Sequence, residues 1–284
     1  MNYISTQQSL CNYFASIIGG FTILPVTQQS PFCTIGLSQF IPIKMLGRPA
    51  INSTMVTDAY FDFENFDSQG RALIIGRIPV LEQNIPAVIN ALSREGIVYK
   101  IVRGYPFSEP TLPIIYVEKI ENPITFAMKL IPALKTLPII PPYYQKTKNN
   151  SKIKYLCNQF SEIVGGFLIP VPLQQNFCSI GLSQYHSIKI LGRFGTHSPT
   201  LTDAIFSFVS LDSQGRALNI GRIPVQEHEV YEFMTMLSKE GILSTLVEGF
   251  PHSEPQLPYV YVQQIENPII FAKKINRAMK NVLR

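Results

Sequence analysis

The chain has 284 residues, 46% hydrophobic and 15% charged, which excludes a disordered polymer and fits a globular protein drier than average. No apolar stretch reaches the roughly 18–20 residues of a membrane-spanning helix, and MNYISTQQSLCNYF shows no export signal, so a cytoplasmic location is expected, with particle association or another release route left open. The net charge of +5 arises largely from Lys146, Lys148, Lys152 and Lys154 between two balanced halves, so no basic face for nucleic acid is expected.

In chain order, the first predicted element is an apolar-patterned segment over 10–18 that stops at Gly19-Gly20, where glycine tolerates a helix end. Extended chain follows through CTIGLSQFIPIKMLGR (33–48). A hairpin is predicted from DAYFDFENF, the turn Asp67-Ser68-Gln69-Gly70, and RALIIGRIPV. The period then changes: Ile85, Val88, Ile89 and Leu92 form a helical stripe that ends at Gly96. Two strands are predicted around 97–104 and 113–120. Asn122-Pro123 then opens a last helix, with a cap residue ahead of a proline at the first helical position.

The whole order then repeats. Cys11 and Gly19 recur as Cys157 and Gly165 at an offset of 146; Cys33, Asp58, Arg71 and Asn122 recur at an offset of 145 as Cys178, Asp203, Arg216 and Asn267. Such a period marks two copies of a domain, not a solenoid. We read a first repeat over 1–142, a lysine-rich linker over 143–154 and a second repeat over 155–284. The expected class is α+β, a tandem duplication in which each copy is an antiparallel sheet with two main helices on one face. A ferredoxin-like core is compatible with that order.

Chemistry needed by both copies should appear in both. All four histidines, among them His252, lie in the second half. His252 with Glu254 is therefore a candidate acid–base or metal pair for that half alone, against a plain surface loop. Glu109 and Glu254 each sit between Ser and Pro, where a carboxylate capping a turn competes with paired acid–base work. Arg71 and Arg77, like Arg216 and Arg222, flank one strand six residues apart and would share a face for an anion, against solvated or ion-paired arginines. Cys11, Cys33, Cys157 and Cys178 lack the close spacing of a zinc site. Buried free thiols are the expected state in a cytosolic chain, with a disulfide inside each copy as the alternative. No Gly-x-Ser-x-Gly elbow, phosphate loop or dinucleotide fingerprint is present, so no cofactor is expected.

GRIPVQEHEVYEFMTMLSKEGILSTLVEGFPHSEPQLPYVYV resembles the bacterial LppY/LpqO family in Gly221, Glu229-Val230, Glu240-Gly241-Ile242 and Glu254-Pro255. The first copy matches through Gly76, Glu95-Gly96-Ile97 and Glu109-Pro110. That family's His-Asn-His stands here as Val102-Arg103-Gly104 and Val247-Glu248-Gly249, and its later strand histidine as Tyr116 and Tyr261. Three such histidines on adjacent strands would form a metal-ligand or acid–base set. The resemblance therefore implies a chain that has lost that site. Thirteen Tyr and 18 Phe with few charges point to a binding or structural protein that works by protein contact, through a protein partner or self-assembly. An enzyme confined to His252 and Glu254 is the alternative. The charge reversal of Arg103 against Glu248 further suggests an intramolecular pseudo-twofold pairing of the repeats, with these two residues in contact at the axis.

Overall fold

The computed structural model describes residues 3–23, 26–27, 32–50, 53–140, 151–170 and 177–283. In the first copy, helix α1 (Tyr3–Ile18) leads into strands β1 (Phe21–Thr22) and β2 (Cys33–Leu37). A short hairpin of β3 (Lys44–Met45) and β4 (Arg48–Pro49) follows, then a single helical turn, α2 (Thr54–Thr57). Next come the long hairpin of β5 (Ala59–Glu64) and β6 (Ala72–Pro79), and helix α3 (Ile85–Arg94). Strands β7 (Val98–Val102), β8 (Ser108–Glu109) and β9 (Ile114–Glu121) precede helix α4 (Pro123–Leu134).

The second copy repeats this with α5 (Ser151–Val164), β10 (Phe167–Leu168), β11 (Phe177–Leu182), β12 (Lys189–Ile190), β13 (Arg193–Phe194) and α6 (Pro199–Thr202). It continues with β14 (Ala204–Val209), β15 (Ala217–Pro224), α7 (Val230–Lys239), β16 (Leu243–Val247), β17 (Ser253–Glu254), β18 (Tyr259–Glu266) and α8 (Pro268–Val282). The expected linker is therefore too long at its end: Ser151, Lys152 and Lys154 lie on α5, and residues 143–150 fall outside the described residues.

Local chemistry explains the boundaries. The Asn122 side chain accepts from the backbone N–H groups of Ile124 and Thr125, with Pro123 at the first helical position, and Asn267 does the same for Ile269 and Ile270. In the hairpin turn, Asp67 Oδ1 accepts the N–H groups of Gln69 and Arg71. The same bonds recur at Asp212.

The class is α+β, with two antiparallel six-stranded sheets ordered β1-β2-β5-β6-β9-β7 and β10-β11-β14-β15-β18-β16. In each, β6 or β15 and the following edge strand are parallel and separated by the last strand. That split β-α-β unit is half of a ferredoxin-like core. Its remaining strand comes from the preceding hairpin, so the full ferredoxin-like order is not reached.

The strands of the long hairpin are buried on both faces, and alternate residues serve two different cores. Ile74 and Ile78 pack under α1, α3 and α4, while Leu73 and Ile75 join a core shared by both copies. The two main helices of each copy, with the N-terminal helix beside them, therefore cover the outer face of each sheet. The inner faces meet, giving helix, sheet, sheet and helix layers.

Free thiols are corrected to disulfides. Cys11 on α1 bonds Cys33 on β2, and Cys157 bonds Cys178, with Cα separations of 5.7 and 5.6 Å. Each bond fastens the first helix of its copy to the sheet. The spacing alone did not show that this helix would turn back over the second strand. Among the described residues no helix is long and apolar enough to cross a membrane.

Candidate functional site

The seam between the two sheets gathers most of the buried polar chemistry. Cross-strand register explains why. Tyr60, Arg77 and Tyr116 are neighbours across β5, β6 and β9 in one sheet; Ile205, Arg222 and Tyr261 are their equivalents in the other. Both rows point inward. The Tyr116 and Tyr261 hydroxyls meet 3.2 Å apart, and these residues are equivalent at the offset of 145. Their rings are wedged by residues from the opposite copy, Tyr116 against Phe250 at 4.4 Å and Tyr261 against Tyr105 at 4.7 Å.

Contacts at the rim are reciprocal too. Arg48 donates to Asp212 Oδ2 at 2.7 Å and to the carbonyls of Ser210 and Arg216. Arg193 donates to Asp67 Oδ2 at 2.6 Å and to the carbonyls of Asn65 and Arg71. Hydrogen bonds from the Arg71 backbone and then the Arg193 side chain hold the Asp67 carboxyl below the usual range. For Asp212 the Arg48 side chain is the largest cause.

Within the seam both guanidiniums are buried. Arg77 donates to the Met55 carbonyl at 2.8 Å; Arg222 donates to those of Thr200, Pro199 and Asp203 and stacks over Tyr259 at 4.7 Å. Desolvation pushes the Asp58 carboxyl up to about 7 and that of Asp203 up to about 6. On β5, Asp62 accepts from Ser198 Oγ and from the Thr200 N–H at 2.7 Å, both in the other copy. Burial raises Asp62, and beside it Glu64 goes up to about 8. Burial also drives the Tyr105 and Tyr116 hydroxyls well above their ordinary range, so they remain protonated and cannot serve as bases near neutrality.

The positions equivalent to the histidines of the resembled family all fall here or at its edge. Val102, Tyr116, Val247 and Tyr261 belong to the shared core. Gly104 and Gly249 have no room for any side chain: an added Cβ would lie 2.2 Å from the Leu112 carbonyl oxygen and 2.1 Å from that of Leu257. Arg103 and Glu248, between them, are exposed.

Several expected pairings change. Glu248 pairs with Lys100 at 2.5 Å, not with Arg103, because Arg103 lines the groove of the first copy and Glu248 that of the second. That contact lowers the Glu248 carboxyl. His252 meets Glu118 of the first copy, not Glu254: its Nδ1 lies 2.8 Å from Glu118 Oε2 and its backbone N–H donates to Oε1. Burial is the largest influence on Glu118 and raises it. Glu254 is exposed on β17 opposite Lys189, and Glu109 is exposed on β8 opposite Lys44, so these two carboxylates do not face one another. Arg71 and Arg216 are half-exposed partners of Asp67 and Asp212 in the hairpin turns, whereas Arg77 and Arg222 are buried; the six-residue spacing does not make a shared anion site.

Sequence reasoning missed Glu118, Asp62 and Glu64, since none recurs: the second copy has Gln263, Ser207 and Val209 there. The repeated Arg77 and Arg222 inside apolar strands were the readable signal of a buried polar seam. Among the described residues no group of three or more His, Cys, Asp or Glu could hold a metal.

Outside the seam, each copy has a groove beside its edge strand. One, of about 470 Å³, is lined by Glu82, Ile101, Arg103 and Tyr105. The other, of about 440 Å³, is lined by Glu227, Leu246, Glu248 and Gln256, with Lys100 reaching in from the first copy.

Fold and seam together define a duplicated α+β protein whose copies share one core. The family described as Domain of Unknown Function (DUF1259) matches residues 24–136 and again 172–281, and the chain belongs to that family in two tandem copies. No curated protein and no solved structure matches it.

Proposed function

We propose that this chain is a non-catalytic binding protein, a divergent LppY/LpqO-like pair of repeats that acts through protein contacts along its open strand edges. The observation that carries this reading is the closure of the expected site. Side chains of both copies fill it, and its two glycine positions abut backbone carbonyls. What both copies keep accessible is a strand edge, β7 or β16, paired on one side only and lying beside a groove. Such an edge offers backbone N–H and C=O groups to an added extended segment. The reciprocal contacts support a further element of the proposal: the copies reproduce the twofold interface of a single-domain relative. Two buried disulfides favour an oxidising compartment over the cytosol.

Selection from a displayed random-peptide library tests the reading. Ligands should be enriched as extended segments, and Ile101→Lys combined with Leu246→Lys should abolish their capture without lowering the melting temperature. Failure to enrich any ligand would refute it. The second reading, an acid–base site at His252, draws on the 2.8 Å contact of its ring with the buried Glu118. Stoichiometric metal lost in His252→Ala would favour that reading instead.

A further inference from the structure

The two open edges are equivalent in the fold but differ in charge: Arg103 stands beside Glu82 at the first, whereas the second carries acids at the matching positions. Strand β7 carries Lys100 and is followed by Arg103; the matching positions at β16 are Thr245 and Glu248. On the neighbouring turn and helix, the first copy has Glu82, Asn84 and Ala87 where the second has Glu227, Glu229 and Glu232. Lys100 is engaged with Glu248 inside the molecule. Arg103 is left as the exposed cation of the first edge, against Glu227 and Glu232 as exposed anions of the second.

Apolar surface accompanies the charges. Ile101 on β7 is 42% exposed, and Leu243 and Leu246 on β16 are 41% and 49% exposed. Open backbone, exposed apolar side chains and opposite charge are what two strands need in order to pair across molecules.

We propose that the partner for these edges is a second copy of this chain, with the β7 edge of one molecule pairing with the β16 edge of the next. This deepens the edge-binding reading above and rests on it. Like edges repel less strongly at β7 than at β16, where Glu227 and Glu232 would confront their own kind. The contact is heterologous, so assembly proceeds beyond a dimer unless the turn between molecules closes a ring.

The test is sedimentation velocity of the oxidised full chain at ionic strengths of about 0.01 M and about 1 M, where the screening length falls from about 30 to about 3 Å. Wild type should associate at low salt, and the association should weaken at least about tenfold at high salt. Arg103→Glu should abolish it, since both edges then carry acids. Adding Glu227→Lys and Glu232→Lys to that variant should restore it, which a misfolded protein could not do. A wild-type chain that stays monomeric at low salt overturns the proposal. So does association that ignores both salt and the charge exchange. A monomeric chain that still captures extended peptides at these edges would leave the binding function standing and remove self-assembly alone.

Discussion

Breaking one disulfide should cost a large part of the stability of this chain. Cys11–Cys33 closes a separation of 22 residues and Cys157–Cys178 one of 21. The chain-entropy relation gives about 3.4 kcal/mol for a loop of that length, held almost wholly through restriction of the unfolded state. Because the copies share a core that includes Leu73, Tyr116, Leu218 and Tyr261, they should unfold together. At about 2–4 °C per kcal/mol for a large domain, removing one bond lowers the melting temperature by about 7–14 °C. The assay is thermal unfolding of wild type, with and without reductant, beside the pair Cys11→Ala with Cys33→Ala. Reductant should shift wild type by roughly twice the effect of the double substitution. The reasoning fails if denatured, unreduced protein titrates four thiols, or if reductant leaves the melting temperature unchanged.

Two further outcomes follow from the seam. Gly104→Ala or Gly249→Ala should destabilise by about 1–3 kcal/mol, as overpacking does, because a backbone carbonyl occupies the space of the new methyl; denaturant midpoints check this, and unchanged midpoints would reopen the site to side chains. Stability should also fall as pH rises from about 4 to about 8. Asp203, Asp58 and Glu64 have folded values raised to about 6, 7 and 8, so the folded chain binds more protons than the unfolded one across that window. Asp67 and Asp212 act oppositely, losing their contribution only as pH drops below the ordinary aspartate range. Denaturant unfolding at a series of pH values reads the slope, and Glu64→Gln should flatten its upper end; a slope that steepens upward instead would contradict the burial of these carboxyls.

The elements were legible wherever local chemistry decides them. Asn122-Pro123 and Asn267-Pro268 mark helix starts because capping is a matter of adjacent residues, and Asp67 with Gly70 marks a turn for the same reason. The seam was not legible, because alternation within a strand shows that a face is buried but not against what. In Leu73-Ile74-Ile75 both faces are apolar, one toward helices and the other toward the second copy. The duplication exposed what the copies hold in common, such as Arg77 with Arg222. It hid what works only between them, such as Glu118 with His252, since neither residue recurs.

That asymmetry bears on how the duplicated chain differs from a dimer of identical domains. At one crossing Asp62 accepts from Ser198 Oγ and the Thr200 N–H; at the equivalent crossing Ser207 Oγ stands 3.5 Å from Ser53 Oγ. In a symmetric dimer an aspartate would occupy both places. Each buried carboxyl would then add its own desolvation cost, and Glu64 beside it would double the acidic load. With both copies in one chain, one side holds the buried carboxyl of Asp62 while the other uses a pair of serine hydroxyls. The Lys100–Glu248 and His252–Glu118 contacts likewise occur once, since the matching positions hold Thr245 with Arg103 and Phe107 with Gln263. Arg48–Asp212 and Arg193–Asp67 remain in duplicate because opposite charges satisfy each other in either direction. Asymmetry in the seam is therefore concentrated where symmetry would bury a second carboxyl, at Asp62, Glu64 and Glu118, whose counterparts are Ser207, Val209 and Gln263.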